Sequence, residues 1–173
     1  MAISPYLRAL RERVGTMRLV LPSVTAAVRG DAGGLLLVRQ RDGGVWSTPG
    51  GSIEPDETPA DAVVREVWEE TGLLVTPRRL LAVWGGPGFE VRYPNGDVAQ
   101  YVTAVFECAV VSGSLRADGD ETLEARFWRA DEAAALPLAD WLRPVLPRLY
   151  APGEQAMFDA PEWHPPAGRE GVR

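Results

Sequence analysis

The stretch Gly51-Ser52-Ile53-Glu54-Pro55-Asp56-Glu57-Thr58-Pro59-Ala60-Asp61-Ala62-Val63-Val64-Arg65-Glu66-Val67-Trp68-Glu69-Glu70-Thr71-Gly72-Leu73 decides how the rest of this 173-residue chain is read. Thr58 to Thr71 has the pattern of a helix. Thr58 is a suitable N-cap, Pro59 fits the first turn, Asp61 completes a capping-box pattern and Gly72 is a stop. Glu66, Glu69 and Glu70 stand at i, i+3 and i+4, a spacing that gathers three carboxylates on one helix face. Val63 and Val67, also four apart, are expected to anchor a different face to a core. Arg65 stands four residues from both Asp61 and Glu69 and can hold the helix carboxylates in place.

Two environments would tolerate such a face. On an exposed helix each like-charge pair costs only about 0.2–0.5 kcal/mol, and a solvated acidic face needs no further account. In a cleft, at about 5 Å and an effective dielectric of about 20, each pair costs roughly 3 kcal/mol and calls for a cation. Oxygen-only ligands favour Mg²⁺ or Mn²⁺. The preceding Thr48-Pro49-Gly50-Gly51 tips the reading towards the cleft, because glycines let backbone approach a ligand closely. A glycine loop beside a carboxylate-lined helix suits metal-chelated pyrophosphate.

Working outward, 46% apolar and 24% charged residues describe an ordinary globular domain, and the length fits one. The net charge of -6 argues against duplex nucleic acid or an anionic membrane surface as a partner. The 51–73 stretch, with seven acidic residues and Arg65, carries that entire charge. All 18 basic residues are arginine, and a single cysteine, Cys108, excludes an intrachain disulfide and a cysteine zinc cage. Residues 4–14 suggest an amphipathic helix with Ser4 as N-cap, Leu7, Leu10 and Val14 on one face, and Gly15 as stop. Neither a signal peptide nor a membrane span is visible, and a cytoplasmic protein is expected. Strands are expected at Val24–Arg29 and Leu35–Arg41, joined through Asp31-Ala32-Gly33-Gly34, and again at Leu80–Trp84, Gln100–Val111 and Glu124–Arg129. Gly85 to Asp97 reads as loop, Thr48 to Gly51 as a break in regular structure, and Leu138–Tyr150 as a short helix interrupted by Pro144 and Pro147. From Ala151 a Pro/Gly-rich tail follows. The result is a mixed sheet with a few helices, α+β or layered α/β.

The spacing Gly51, five residues, Glu57, seven residues, Arg65-Glu66-Val67, one residue, Glu69-Glu70, one residue, Gly72-Leu73 resembles a complete Nudix box. The resemblance to the Nudix hydrolases runs over most of the chain. It implies a single-domain α/β/α sandwich of the α+β class, spanning residues 17–150 between the helix of 1–16 and the tail of 151–173. It implies hydrolysis of a nucleoside diphosphate linked to another moiety, by attack of a metal-activated water on phosphorus. Glu66, Glu69 and Glu70 then resemble the metal-binding glutamates, joined by the Gly50 carbonyl, with Mg²⁺ or Mn²⁺ as cofactor. Arg65 resembles the arginine that orients them, Glu57 supports the loop-to-helix turn, and Gly51 and Gly72 match the required glycines. The proton acceptor varies in the family between Glu66 and a glutamate outside the box, for which Glu121 is the choice here. A homodimer is compatible with the resemblance. A Nudix-fold binding module without hydrolysis is the competing reading, and such modules commonly lose box glutamates that this chain keeps.

Outside the box, Arg39 and Arg41 alternate onto one strand face, from which a guanidinium fork can contact phosphate. Phe89 or Tyr93 can stack on a base and Arg92 can pair with phosphate, in the loop where such proteins often select substrates. Trp46 and Cys108 read as core, and His164 as a tail residue.

Overall fold

The computed structural model describes residues 4–30 and 33–165, so Asp31 and Ala32 of the expected hairpin turn and tail residues 166–173 lie outside the described residues. Helix α1 (Pro5–Val14) begins as its sequence signals: the Ser4 hydroxyl accepts the Leu7 N–H at 3.1 Å, and Gly15 closes the helix at φ 61°. Its apolar side is only half-buried. The helix is held instead by Arg11, which donates to the Val98 carbonyl at 2.8 Å and lies 3.6 Å from Asp97.

Strands β1 (Leu19–Arg29), β2 (Leu35–Gln40), β3 (Trp46–Ser47), β4 (Gly50–Ser52), β5 (Leu73–Trp84), β6 (Glu90–Arg92), β7 (Val98–Gly113) and β8 (Thr122–Trp128) form one mixed sheet with the path β3-β2-β1-β7-β5. β1 and β7 run parallel over eleven residue pairs, Leu19 with Ala99 to Arg29 with Ala109, and the remaining pairings are antiparallel. Along β1 and β2 the side chains alternate between two cores. Val24, Ala26, Val28 and Leu36 pack against Val63 and Val67 of α2 (Pro59–Thr71). Ala27, Leu35 and Leu37 pack against Leu142, Val145, Leu146 and Leu149 of α4 (Leu142–Tyr150), which follows the short α3 (Ala130–Ala133). The molecule is therefore the expected α/β/α sandwich. At about 1.5–3 kcal/mol per buried aliphatic side chain, these two layers are its main source of stability.

Four expectations are corrected. Residues 73–79 continue β5 through Pro77 with register shifts; the strand lies at the end of the path, where a missing N–H is tolerated. Gly50–Ser52 forms β4 on β1 rather than a structural break. The 85–97 loop folds into a one-turn 3₁₀ helix (Pro87–Phe89) and β6, which returns along β7 through a turn with Gly96 at φ 90°. The last helix starts at Leu142, because Leu138 bridges to Trp46 instead. Glu107 on β7 accepts Arg29 of β1 at 2.8 Å and Arg79 of β5 at 2.6 Å. These arginines also reach carbonyls of Leu149 and Gly153, so one carboxylate ties three strands to the end of α4 and the following segment. Within that segment Met157 pairs with β5, exchanging backbone bonds with Leu81 and Val83. Among the described residues no helix is long and apolar enough to cross a membrane.

Candidate functional site

The site is built on α2. Its N-terminus is fixed by the Thr58 hydroxyl, which accepts the Asp61 N–H at 3.1 Å and donates to the Asp61 carboxylate at 2.6 Å. Asp61 is thereby engaged with the cap and not with Arg65. Gly72 ends the helix at φ 67°, and a side chain there would meet the Ser114 carbonyl at 2.9 Å. At about 100° per residue, Glu70 falls between Val63 and Glu66, on the packed side of the helix. Accordingly Glu70 is buried, with 7% of its surface exposed, and shares the buried side with Val63 and Val67. Glu66 is half-buried at the seam, whereas the Glu69 side chain is 57% exposed on the solvent edge. The three carboxylates thus do not share one environment: two point inward and one stands at the rim.

Pairing of β4 with β1 brings the glycine loop against these carboxylates. The Gly50 N–H donates to Glu70 at 3.3 Å, and a Cβ at Gly51 would fall 2.4 Å from a Glu66 oxygen. Arg65 organises the outer side. Its Nε and Nη2 make a forked pair to the two Glu57 oxygens at 2.8 and 2.9 Å, and Nη2 also donates to the Ser52 carbonyl at 3.1 Å. Its Nη1 reaches Glu66 at 2.8 Å and Glu69 at 3.1 Å. Glu57, in turn, accepts the Glu54 N–H, closing the loop-to-helix turn. The Arg65 bond holds the Glu57 carboxyl below the usual carboxylate range. Glu66 is pushed up by burial despite Arg65. Glu70 is pushed well up by burial and by the negative charge of Glu66, Glu121 and Asp118, against which its bond from Gly50 works.

That last combination tests whether a divalent cation suits the site. Glu70 is a buried carboxylate among other carboxylates whose only described partner is a neutral backbone N–H. Burying such a charge without a counter-charge is unfavourable. Hard oxygen donors of this kind fit Mg²⁺ or Mn²⁺. As they stand, with Arg65 occupying Glu66 and Glu69, no three acidic, His or Cys side chains among the described residues converge to ion-holding distance.

Beside Glu70 lies a cavity of about 530 Å³, bounded by Gly50, Gly51, Glu70, Glu121 and the β6 arm with Phe89, Arg92 and Tyr93. The structure thus brings seven of the sequence-selected residues around one space. Phe89 is already packed, 6.5 Å from the Trp84 ring and 5.8 Å from Trp141. Arg92 pairs with Glu90 at 2.6 Å. The Tyr93 hydroxyl lies 2.7 Å from that of Tyr101, and burial pushes its pKa upward. Arg39 and Arg41 are not on the cavity. Arg39 lies 3.6 Å from Glu124 across the β2–β8 pair, and Arg41 donates to the carbonyls of Gly119 and Asp120. Gln40 faces the cavity between them. Sequence reading did not select Trp141, Asp140 or the Thr25–Thr103 hydroxyl pair at 2.9 Å, all of which line it. Only the long-range pairing of β1 with β7 and the docking of α4 place them there, and no local spacing carries that signal. Trp46 and Cys108 are core residues, the thiol pushed up to about 12 by burial, and His164 is exposed.

A MutT-like protein of Streptomyces ambofaciens is 37% identical over 100 residues, covering 58% of this chain and 58% of that protein. An ADP-ribose pyrophosphatase of Methanocaldococcus jannaschii is 39% identical over 97 residues, covering 54% of this chain and 53% of that protein. The chain thus spans little more than half the length of these curated relatives. The solved MutT NUDIX hydrolase of Burkholderia pseudomallei superposes with a TM-score of 0.60 at 27% identity, over 75% of this chain and 97% of that one. A family model, NUDIX domain, matches residues 20–149. That match runs from the second residue of β1 to the penultimate residue of α4 and takes in the loop, α2 and the cavity walls: the chain belongs to the NUDIX domain family.

Proposed function

We propose that this protein hydrolyses a pyrophosphate bond in a nucleoside diphosphate linked to another moiety, of nucleotide, nucleotide-sugar or ADP-ribose type. The observation that carries the reading is Glu70, a buried carboxylate opening on a cavity of about 530 Å³ beside Glu66 and Glu121. That volume suits a small nucleotide-like ligand. The pyrophosphatase among the relatives supports the substrate class.

In this reading Glu66, Glu69, Glu70 and the Gly50 carbonyl hold Mg²⁺ or Mn²⁺. The bound metal supplies charge neutralisation for the phosphates and Lewis-acid polarisation of the attacked centre. Arg65 and Glu57 keep the glutamates oriented, a role supported by the Arg65 bonds to Glu57, Glu66 and Glu69. Water bonds to one phosphorus as the bridging P–O bond opposite breaks, and its proton passes to Glu121, which borders the same cavity. Arg92 and Tyr93 face the substrate portion away from the metal. Arg39 and Arg41 have no phosphate contact in this arrangement.

Purified protein with Mg²⁺ or Mn²⁺ is to be tested against nucleoside triphosphates, sugar nucleotides, ADP-ribose and dinucleoside polyphosphates, with products identified as well as rates. Metal-dependent cleavage is expected, and Glu70→Gln is expected to lower kcat by about 100-fold while leaving the circular dichroism spectrum unchanged. Tight nucleotide binding without turnover by the wild-type protein would overturn hydrolysis in favour of a binding module.

A further inference from the structure

The segment that delivers Glu121 to the cavity is tied from two sides. Between β7 and β8, a single oxygen of Asp118 accepts the backbone N–H groups of Asp120 at 2.9 Å, Glu121 at 3.1 Å and Thr122 at 2.8 Å. Gly119, at φ 78°, closes the turn by donating to the Thr122 carbonyl at 3.0 Å. From the turn just after β2, Arg41 donates its guanidinium to the carbonyls of Gly119 and Asp120 and its backbone N–H to the Glu121 carbonyl at 2.8 Å. Both backbone polar groups of Glu121 are therefore fixed, one by Asp118 and one by Arg41.

This tie works against a force. Asp118, Asp120 and Glu121 put three carboxylates into four residues, and the negative charges of Asp118 and Glu121 act on the buried Glu70; like charges so arranged repel. An untied exposed loop would relax by swinging Glu121 outward. Arg41 brings a positive charge to the loop's outer side, and Asp118 spends its charge on three N–H groups.

We propose that Asp118 and Arg41 are positioning residues, which hold the Glu121 carboxylate at the cavity for its part in hydrolysis. The proposal rests on the functional reading above and adds to it the hardware outside the 51–73 stretch.

The test compares Asp118→Ala, Asp118→Asn, Arg41→Ala, Glu121→Gln and the Asp118→Ala/Glu121→Gln double variant on the fastest substrate of the panel, with Mn²⁺. Amide hydrogen exchange at residues 118–122 is measured on the same proteins without metal or substrate. Asp118→Ala is expected to lower kcat by about 100-fold, the scale of a misplaced catalytic group, with KM and Mn²⁺ affinity changed less than about twofold. Its Glu121 and Thr122 amides are expected to exchange faster. Asp118→Asn keeps the accepting oxygen and is expected to restore kcat to within about threefold and protection with it. Arg41→Ala is expected to repeat the Asp118→Ala pattern, and the double variant to be no slower than Glu121→Gln alone. Faster exchange with unchanged kcat, a loss confined to KM, or additive losses in the double variant would overturn the proposal. Full activity of Glu121→Gln would also overturn it while leaving hydrolysis standing, whereas a wild-type protein that cleaves nothing would remove the functional reading as well.

Discussion

Gly50 and Gly51 exclude a side chain for two different reasons. At Gly50 the φ is 154°, and a Cβ would sit 2.2 Å from the Val24 carbonyl oxygen, which belongs to a strand and cannot yield. At Gly51 the obstacle is the Glu66 carboxylate, the tip of a side chain that can rotate away. Gly51→Ala should therefore fold, with a melting temperature close to wild type, but displace Glu66 and lower Mn²⁺ affinity by about tenfold in a metal titration. Gly50→Ala should instead lose stability, seen as a large fall in melting temperature. The spacing of the 51–73 stretch made Gly51 and the three glutamates legible. It did not make legible that Glu70 is buried and Glu69 is not, because a three-residue spacing places residues side by side but does not say where the packed sector ends. That boundary is set by β4 and β1, which cover Glu70 and leave Glu69 open. Arg39 was legible as a strand residue, but Arg41, expected on the same strand face, lies in the turn after β2, and the partners of both come from β8 and its loop, far away in sequence.

At the scale of elements, α1 and α2 could be read to within a residue because their caps are local: Ser4 and Gly15 for one, Thr58 and Gly72 for the other. The strands were harder. Pro77 hides the first half of β5, since only an edge position tolerates it and edge position is a property of the sheet. The Glu107 cluster is another product of the sheet, joining β1, β7 and β5 through Arg29 and Arg79. Burial works to raise the Glu107 pKa, but the two arginines prevail and hold it below the usual carboxylate range. A carboxylate depressed in the folded state stabilises above its unfolded pKa, and that contribution disappears as pH falls through the folded value. Glu107→Gln should thus cost about 1 to 2 kcal/mol at neutral pH, discounted for the partial exposure of Arg79. The gap in urea midpoint between variant and wild type should narrow progressively below about pH 4.5.

For the whole molecule, the concentration of the net charge of -6 in residues 51–73 has a measurable result. The folded chain sets the charges of Glu66, Glu121 and Asp118 near the buried Glu70, and the unfolded chain disperses them. A divalent cation that binds the folded state selectively at about 100 times its Kd adds about 2.7 kcal/mol of stability. For a chain of this length that raises Tm by about 5 to 10 °C in differential scanning calorimetry, and Glu70→Gln should abolish the rise. The strand and helix signals already implied a mixed sheet with a few helices, and the resemblance implied helical layers on both its faces. Which strand neighbours which could not be read, because β1 and β7 pair in parallel across some eighty residues of sequence. One feature of that sheet reaches beyond the site. The path ends at β5, a twelve-residue strand carrying exposed Leu74, Leu80 and Val83. An open strand of that kind is a template on which another chain can add itself, the first step towards amyloid-like aggregation. Met157 occupies that position from within the same chain, and Arg79 clamps the preceding Gly153 and Glu154. The segment after α4 is thereby a plug against polymerisation: proteolytic trimming there would leave the cavity lining untouched and turn the far edge of the sheet adhesive.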